Sequence, residues 1–128
     1  MDVRSWLEAY RKAWEGADVD AAAALFDERA TYRSNIFEDP YEGREGVRRY
    51  WAEATSTQED VRVLMGRPFT EGDRVAAEFW TTMRNDGAEI TLPGCLLLRF
   101  GEEGLCLALR EYWHVEQGRR EPPPGWGD

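Results

Sequence analysis

Apolar and polar residues follow a helical period in the first half of the chain and a period of two in the second half. Three segments of the first half place their apolar residues on one face of a helix: DVRSWLEAYRKAWEGAD, VDAAAALF and REGVRRYWAEAT. Asp2 and Asp18 are expected to cap the first two helices, and Gly16 to end the first. ATYRSN predicts a short strand before the third helix.

The second half predicts an antiparallel meander. Its strand segments are separated by the turn-forming sequences TEGD, RNDG and GEEG; they are DVRVLMGRPF, RVAAEFWTTM, EITLPGCLLLRF and LCLALREYWHV. Helices followed by such a meander indicate an α+β fold, with three N-terminal helices packed on one face of a curved antiparallel sheet. We expect residues 1–128 to form one domain, with 118–128 as an extended, proline-rich tail whose Trp126 packs back on the body.

Alternation along the strands separates an inner from an outer sheet face. In RVAAEFWTTM, alternate residues form a more apolar set that includes Phe79 and Met83, and this set should face the helices. The GEEG turn predicts a register that pairs Arg99 with Cys106, and this register places Leu96, Glu111 and Trp113 on the inner face. The outer face would be rich in large side chains, which suggests that a second subunit covers it in a homodimer; these residues are Trp80, Leu97, Tyr112 and His114.

Glu111, in the segment LALREYWHV, is the most informative polar residue of the inner face. A carboxylate among apolar neighbours is either paired with a cation, exposed at a rim, or placed for chemistry. For chemistry, partial burial would raise its pKa until it could accept a proton near neutral pH. The sequence leaves all three alternatives open.

Charge and composition exclude several partners. A net charge of −9 disfavours nucleic acid and anionic membranes. The two cysteines, Cys95 and Cys106, both fall on the outer parity and are too far apart to pair. A sole histidine, His114, cannot build a histidine-rich metal site, and no other spacing indicates a metal or cofactor. With no basic leader and no long apolar run, we expect a cytoplasmic protein.

The order and spacing of five segments resemble the nuclear transport factor 2-like superfamily, and within it the SnoaL-like domains. The segments are AYRKAWEGADVDAAAALF, ATYRS, GREGVRRYWAEA, LLLRFGEEG and REYWH. The similarity runs from about Val3 to Gln117. It implies a cone-shaped α+β fold whose bent sheet and helices enclose a pocket, and whose protomers commonly pair through their outer sheet faces. Superfamily members include isomerases, polyketide cyclases, epoxide hydrolases and dehydratases, so the fold does not fix the reaction.

Ketosteroid isomerase, a member of the superfamily, offers a residue-level comparison. Its oxyanion tyrosine matches Tyr10, whereas its base aspartate falls on Ser34 and its protonated aspartate on Leu96. Steroid isomerisation by that mechanism is therefore not expected. Two pocket aromatics of that enzyme fall on Trp51 and Trp113. Glu111 falls on a position of the pocket wall where ketosteroid isomerase has a small apolar residue. A base at Glu111 would therefore lie on the last strand instead of the first.

These observations predict a cofactor-independent isomerase, cyclase, hydratase or hydrolase acting on a small apolar carbonyl compound or epoxide. Glu111 would move the proton, Tyr10 would stabilise negative charge, and Ser34 is the third catalytic candidate. The predicted ligand-binding residues are Trp14, Tyr32, Trp51, Phe79, Met83, Leu96 and Trp113. The alternative is a non-catalytic module that binds a small apolar ligand or another protein, and the aromatic set could also be plain core. Asp39, in the segment FEDPY, resembles an Asp-Pro pair of family active sites, but it is expected to start an exposed turn.

Overall fold

The structure is a computed structural model that describes residues 2–128. Within that range it contains three α-helices and eight β-strands, in the order α1 (Val3–Glu15), α2 (Val19–Ala23), β1 (Phe26–Arg33), β2 (Tyr41–Glu42), α3 (Gly43–Thr55), β3 (Gln58–Met65), β4 (Phe69–Glu71), β5 (Arg74–Asn85), β6 (Ala88–Phe100), β7 (Cys106–Trp113) and β8 (Glu116–Gln117). No helix in this range is long and apolar enough to cross a membrane.

The helix caps are those that the sequence predicts. Asp2 accepts a hydrogen bond of 2.7 Å from the backbone N–H of Ser5, and Asp18 accepts one of 3.0 Å from Ala21. The alanine-rich helix is shorter than its pattern, because Phe26 begins β1 instead of ending α2. Since α3 follows β1 and β2, only two of the three helices precede the first strand.

The sheet is mixed, so the expectation of a purely antiparallel sheet is wrong. Its strands follow the order β2-β1-β7-β6-β5-β3, with β4 paired to β5 and β8 paired to β6. The strands of the second half form the predicted antiparallel meander, but β1 joins its last long strand, β7, in parallel. Local turn patterns cannot reveal such a pairing, because it joins segments about 80 residues apart.

The register between β6 and β7 differs from the predicted one by two residues. Arg99 pairs with Ala108 rather than with Cys106, and Leu96 pairs with Glu111. A shift of two keeps every side chain on its face, so the predicted inner face stands. A bulge next to Arg99 breaks the alternation at the start of β7, and Cys106 is buried rather than outward as predicted. Both cysteines are free thiols.

The core lies between the helices and the inner sheet face. The predicted inner residues of β5 are buried, Phe79 and Met83 among them. Trp6 of α1 is fully buried, and its indole N–H donates to the carbonyl of Leu25 over 2.9 Å. The result is a helical layer tied by aromatic side chains to the sheet, with room left beneath it near α3.

The C-terminal tail packs on the outer sheet face. The rings of Trp126 and Trp80 meet edge to face with centroids 5.8 Å apart, as the sequence predicts for Trp126. The indole N–H of Trp80 also donates to the carbonyl of Arg120 over 2.9 Å. Trp80 is therefore covered in part by its own chain, and a second subunit on this face stays a prediction.

Candidate functional site

A cavity of about 170 Å³ lies between α1, α3 and the inner face of the sheet. Aromatic and apolar side chains make up most of its wall, and Glu111 supplies the one carboxyl group among the lining residues. The lining residues are Tyr10, Trp14, Tyr32, Ser34, Tyr50, Trp51, Ala54, Gln58, Phe79, Met83, Asn85, Ile90, Leu92, Glu111, Trp113 and Val115. The sheet and helices thus enclose a hollow rather than a solid core.

All of the site residues predicted from the sequence line this cavity except Leu96. Leu96 is fully buried as the cross-strand partner of Glu111, and it belongs to the core rather than to the cavity wall. Trp113 lies at the open end, where its side chain is 43% exposed and Val115 stands beside it in the wall. The structure therefore brings the predicted residues together around one space, with Leu96 as the correction.

Glu111 projects from β7 into the cavity and is only 7% exposed. Within residues 2–128, no basic side chain lies within 4.0 Å of its carboxylate. Burial raises its pKa to about 7, while hydrogen bonds from Ser34 and Tyr50 act in the opposite direction. Glu111 is thus neither ion-paired nor exposed at a rim, the two ordinary placements that the sequence left open.

Ser34 and Tyr50 hold the carboxylate from two other elements. Ser34, directly after β1, donates its hydroxyl hydrogen to Oε1 of Glu111 over 2.9 Å. The hydroxyl of Tyr50, on α3, lies 3.0 Å from Ser34 Oγ and 3.4 Å from the same carboxylate oxygen. Because serine and tyrosine each have one hydroxyl hydrogen, Tyr50 is the donor in its bond to Ser34, and it shares that hydrogen between Ser34 Oγ and Oε1 of Glu111. The indole N–H of Trp113 fixes this corner by donating to the carbonyl of Ser34 over 2.8 Å.

Tyr10 and Tyr32 form a second polar pair in the wall. Their hydroxyl oxygens are 3.0 Å apart, and both residues are almost completely buried. Burial, with the charge of Glu111 as the next cause, raises the pKa of both phenols well above the ordinary value, so both stay protonated. One of the two hydroxyl hydrogens is used within the pair, and the other remains for a further acceptor.

The aromatic walls pack edge to face around the cavity. Trp14 contacts Trp51 with ring centroids 5.7 Å apart and Phe79 with centroids 5.5 Å apart. Its indole N–H donates to the side-chain oxygen of Gln58 over 3.0 Å. The indole nitrogen of Trp51 is buried without a hydrogen-bond partner in the described chain. These contacts fix the shape of the wall through interlocked rings.

Tyr50 belongs to the hydrogen-bond network around Glu111 and was not among the residues predicted from the sequence. The helical pattern places it on the apolar face of α3, but the pattern does not show that its hydroxyl reaches Ser34 and Glu111. Six further wall residues were also missed, because the sequence does not fix how α3, the ends of β3 and β5, the first half of β6 and the segment after β7 lie relative to one another; they are Ala54, Gln58, Asn85, Ile90, Leu92 and Val115. A tyrosine on the buried face of a helix was the available signal.

The remaining candidates lie outside the cavity. Asp39 is exposed in the loop between β1 and β2, and His114 is exposed beyond the end of β7. Within residues 2–128, no group of three or more histidine, cysteine, aspartate or glutamate side chains could hold a metal ion. The chemistry of this site therefore depends on its carboxylate and hydroxyl groups.

Solved structures of similar fold include the following two. A hypothetical protein from Catenulispora acidiphila, with a ketosteroid isomerase-like fold and in complex with trimethylamine, is 25% identical to this chain, with a TM-score of 0.77; the match covers 87% of this chain and 86% of that one. The epoxide hydrolase/cyclase-like enzyme SalBIII, which functions in pyran ring formation in the polyether salinomycin, is 21% identical, with a TM-score of 0.79 and coverage of 90% and 95%.

No curated protein matches the sequence significantly. The family model of the SnoaL-like domain matches residues 7–108, which include both helix-borne tyrosines of the site, Tyr10 and Tyr50. The match to the family model ends at residue 108, so the carboxylate of Glu111 lies outside the matched residues. With this match over most of its length, and with three helices on a mixed, curved sheet, the chain belongs to the SnoaL-like domain family.

Proposed function

We propose that the protein is a cofactor-independent acid–base enzyme that acts on a small, largely apolar carbonyl compound, with Glu111 as the group that moves the proton. One observation carries this proposal: a buried carboxylate with no counterion faces a cavity, and its pKa lies at about 7. A base with that pKa is ionised in about half of the molecules at neutral pH, and it can both accept and return a proton.

In the proposed reaction, ionised Glu111 removes a proton from the carbon beside the carbonyl group. The electron pair of the broken C–H bond forms the C=C bond of an enolate, and the π pair of the carbonyl group moves onto its oxygen. The protonated carboxyl then returns the proton to the same carbon or, in a substrate whose C=C bond adjoins that carbon, to the far end of the conjugated system, and the C=O bond forms again. Ser34 and Tyr50 position the carboxylate through their hydrogen bonds to Oε1. The hydroxyl hydrogen left over by the Tyr10–Tyr32 pair is the donor for the developing oxyanion, which is the role that the sequence predicts for Tyr10.

The cavity restricts the size and polarity of the substrate. At about 170 Å³ it is smaller than the usual range of ligand pockets, about 300–1,000 Å³, so a compact molecule with one or two rings is the upper limit without movement of the walls. Trp14, Trp51 and Phe79 offer apolar ring surface on the helix side and the sheet side. We infer a substrate that is apolar except for the oxygen that the tyrosine pair would contact.

Exchange of carbon-bound hydrogen for deuterium tests this function without knowledge of the natural substrate. Cyclohexanone and smaller cyclic ketones in D₂O, followed by NMR, should lose the hydrogens beside the carbonyl faster with the protein than without it. The rate should rise as the pH passes about 7 and should vanish in Glu111→Gln. Glu78→Gln, which changes an exposed carboxylate on β5, is the matched control and should behave as the native protein. Equal exchange in native protein and Glu111→Gln would refute the role of Glu111.

A second candidate function is the binding of a small organic amine without catalysis. No cationic side chain lines the cavity, and aromatic rings surround its one carboxylate, which is the arrangement that attracts an alkylammonium ion. The trimethylamine bound to the Catenulispora acidiphila relative supports this candidate. Trimethylammonium chloride titrated by calorimetry distinguishes the two: amine binding should strengthen as the pH rises through about 7 and disappear in Glu111→Gln, with no ketone exchange at any pH.

For the quaternary structure, we propose a homodimer through the part of the outer face that the tail leaves open. Tyr112 is 45% exposed there, and its cross-strand partner Cys95 and the nearby His114 lie on the same face. Large exposed side chains grouped in this way are typical of an interface between subunits.

A further inference from the structure

The outer sheet face also carries a groove of about 610 Å³ that the proposed function does not use. Its floor is formed by small and apolar side chains on three adjacent strands. Ala76 of β5 pairs with Leu97 of β6, and Ala108 of β7 lies one row away. Arginine side chains border this floor on both sides; they are Arg33, Arg74, Arg99 and Arg110. A protein of net charge −9 thus concentrates a quarter of its basic residues around one groove.

These arginines form two pairs of like charge directly across neighbouring strands. Arg33 of β1 is the register partner of Arg110 of β7, and Arg74 of β5 is the partner of Arg99 of β6. Like charges in directly opposed positions destabilise a sheet. A bound anion would remove that cost, because it would lie between two guanidinium groups.

The acidic residues nearby neutralise only one side of the groove. Asp73 lies 3.7 Å from Arg99, and Glu71 is the register partner of Arg74. Within residues 2–128, no carboxylate lies within 4.0 Å of Arg33 or Arg110. Arg33 instead donates to the backbone carbonyl of Glu38, which holds its side chain in place. The β1–β7 side is therefore the uncompensated one.

We propose that this groove binds a small organic anion, with a phosphate or carboxylate group between Arg33 and Arg110 and an apolar body lying on the floor. Guanidinium groups suit such anions, because their planar N–H donors match two oxygens at once. The apolar body would run from β7 towards Phe69, whose ring is 58% exposed at the far end of the groove. Charge complementarity and the apolar floor together select an amphiphilic anion over a simple salt ion.

The same charges argue against a second copy of the chain as the occupant. A symmetric contact over this groove would bring the arginines of both copies together without enough carboxylates to pair them. Tyr112 and Cys95 lie one row further along β7 and β6, outside the lining of the groove.

Octyl phosphate and octanoate, titrated below their micelle concentrations by calorimetry, test the proposal on the full chain. Both should bind, whereas octanol, which has the same alkyl chain and no charge, should not. Arg110→Gln should weaken binding about tenfold or more, and Arg110→Lys should retain part of it, since lysine keeps the charge but not the planar donor pair. Arg4→Gln is the matched control, because Arg4 is exposed on α1 outside the groove; it should bind as the native protein does.

Each alternative gives a different result. Binding of octanol as strong as that of octyl phosphate would overturn the role of the arginines, as would equal binding by native protein and Arg110→Gln. Binding only to phosphatidylserine vesicles, with none to the soluble anions, would identify a membrane surface and overturn the small-anion proposal. Light scattering that gives a dimer for native protein and a monomer for Arg110→Gln would identify the groove as a subunit interface and would likewise overturn it. None of these outcomes depends on Glu111, so the acid–base proposal is tested separately.

Discussion

Ser34 Oγ lies 2.9 Å from Oε1 of Glu111, although 77 positions separate the two residues in the chain. The parallel pairing of β1 with β7 brings them together, because Arg33 and Arg110, the residues just before them, are register partners. In the resemblance to ketosteroid isomerase, Ser34 stands where that enzyme has its base. Here the same position donates a hydrogen bond to a carboxylate on the neighbouring strand, so in the proposed function the acid–base group lies across the strand pair from that position.

Glu111→Gln should remove a specific pH dependence of stability. The pKa of Glu111 is raised from 4.5 to about 7 in the folded chain, so its favourable contribution to the free energy of unfolding is complete below about pH 4.5 and is lost as the pH rises through 7. The full difference is roughly 3 kcal/mol. Urea unfolding between pH 5 and pH 8.5 should show the variant gaining stability relative to native protein as the pH rises. A constant difference between the two proteins would contradict the raised pKa.

Ser34→Ala should move the pH dependence of ketone exchange to higher pH. The Ser34 hydroxyl lowers the pKa of Glu111, so its loss leaves burial less opposed and the carboxylate ionises later. Deuterium exchange measured from pH 5 to pH 9 gives the midpoint directly. Ser56→Ala is the control, since that hydroxyl bonds to the carbonyl of Glu53 at the exposed end of α3. A midpoint that stays near 7 in Ser34→Ala would show that the hydrogen bond does not act on the carboxylate.

Tyr50→Phe should act in the same direction and more weakly, because its hydroxyl is 3.4 Å from Glu111, against 2.9 Å for Ser34. The ring remains, so packing against Tyr32, at 4.5 Å between centroids, is retained. Tyr41→Phe is the matched control: its ring also packs on Tyr50, but its hydroxyl reaches Glu53 outside the cavity. An equal alkaline shift in Tyr41→Phe, which removes no hydrogen bond to Glu111, would mean that the shift in Tyr50→Phe does not come from loss of the Tyr50 hydroxyl at the carboxylate.

Much of this site could be predicted because strand alternation tolerates some errors of register. The predicted β6–β7 pairing was wrong by two residues, yet Glu111 and Trp113 stayed on the inner face, since only an odd shift exchanges the faces. The bulge beside Arg99 adds one residue and is such an odd shift, which is why the placement of Cys106 failed. Periodicity therefore gave the direction of a side chain where the ladder is regular, and it failed where the ladder is interrupted.

The hydrogen-bond network could not be predicted, because it joins three elements that are far apart in the sequence. Ser34 follows β1, Tyr50 belongs to α3, and Glu111 belongs to β7. Their meeting depends on the parallel β1–β7 pair and on how α3 lies across it, and neither has a local signature in the chain. From the sequence alone, Tyr50 is therefore indistinguishable from an ordinary residue of an amphipathic helix.

If the proposed homodimer forms, the native protein should have a mass near twice that of one 14.8 kDa chain at micromolar concentration. Tyr112→Lys should shift this equilibrium towards the monomer, because it places a charge at the centre of the proposed interface. Sedimentation equilibrium measures both proteins. Leu64→Lys is the control, because Leu64 is exposed to a similar degree on the edge strand β3, three strands away from Tyr112. This variant should remain dimeric. A monomeric mass for the native protein would refute the dimer.

Gly94→Ala should damage both stability and the cavity, because β6 approaches a wall residue closely at this position. An added Cβ would lie 2.3 Å from Cζ of Phe79 and 2.7 Å from the backbone oxygen of Tyr112, distances that real Cβ atoms do not show. The ring of Phe79 must move, and we expect a loss of roughly 1–3 kcal/mol in unfolding free energy together with weaker binding of cyclohexanone. Gly101→Ala is the control, since its Cβ would meet only Leu107, at 3.4 Å, and stability should change by less than about 1 kcal/mol. Urea unfolding and ligand titration of both variants separate the two effects: if Gly94→Ala lost stability but bound cyclohexanone as native protein does, Phe79 would not form part of the functional wall.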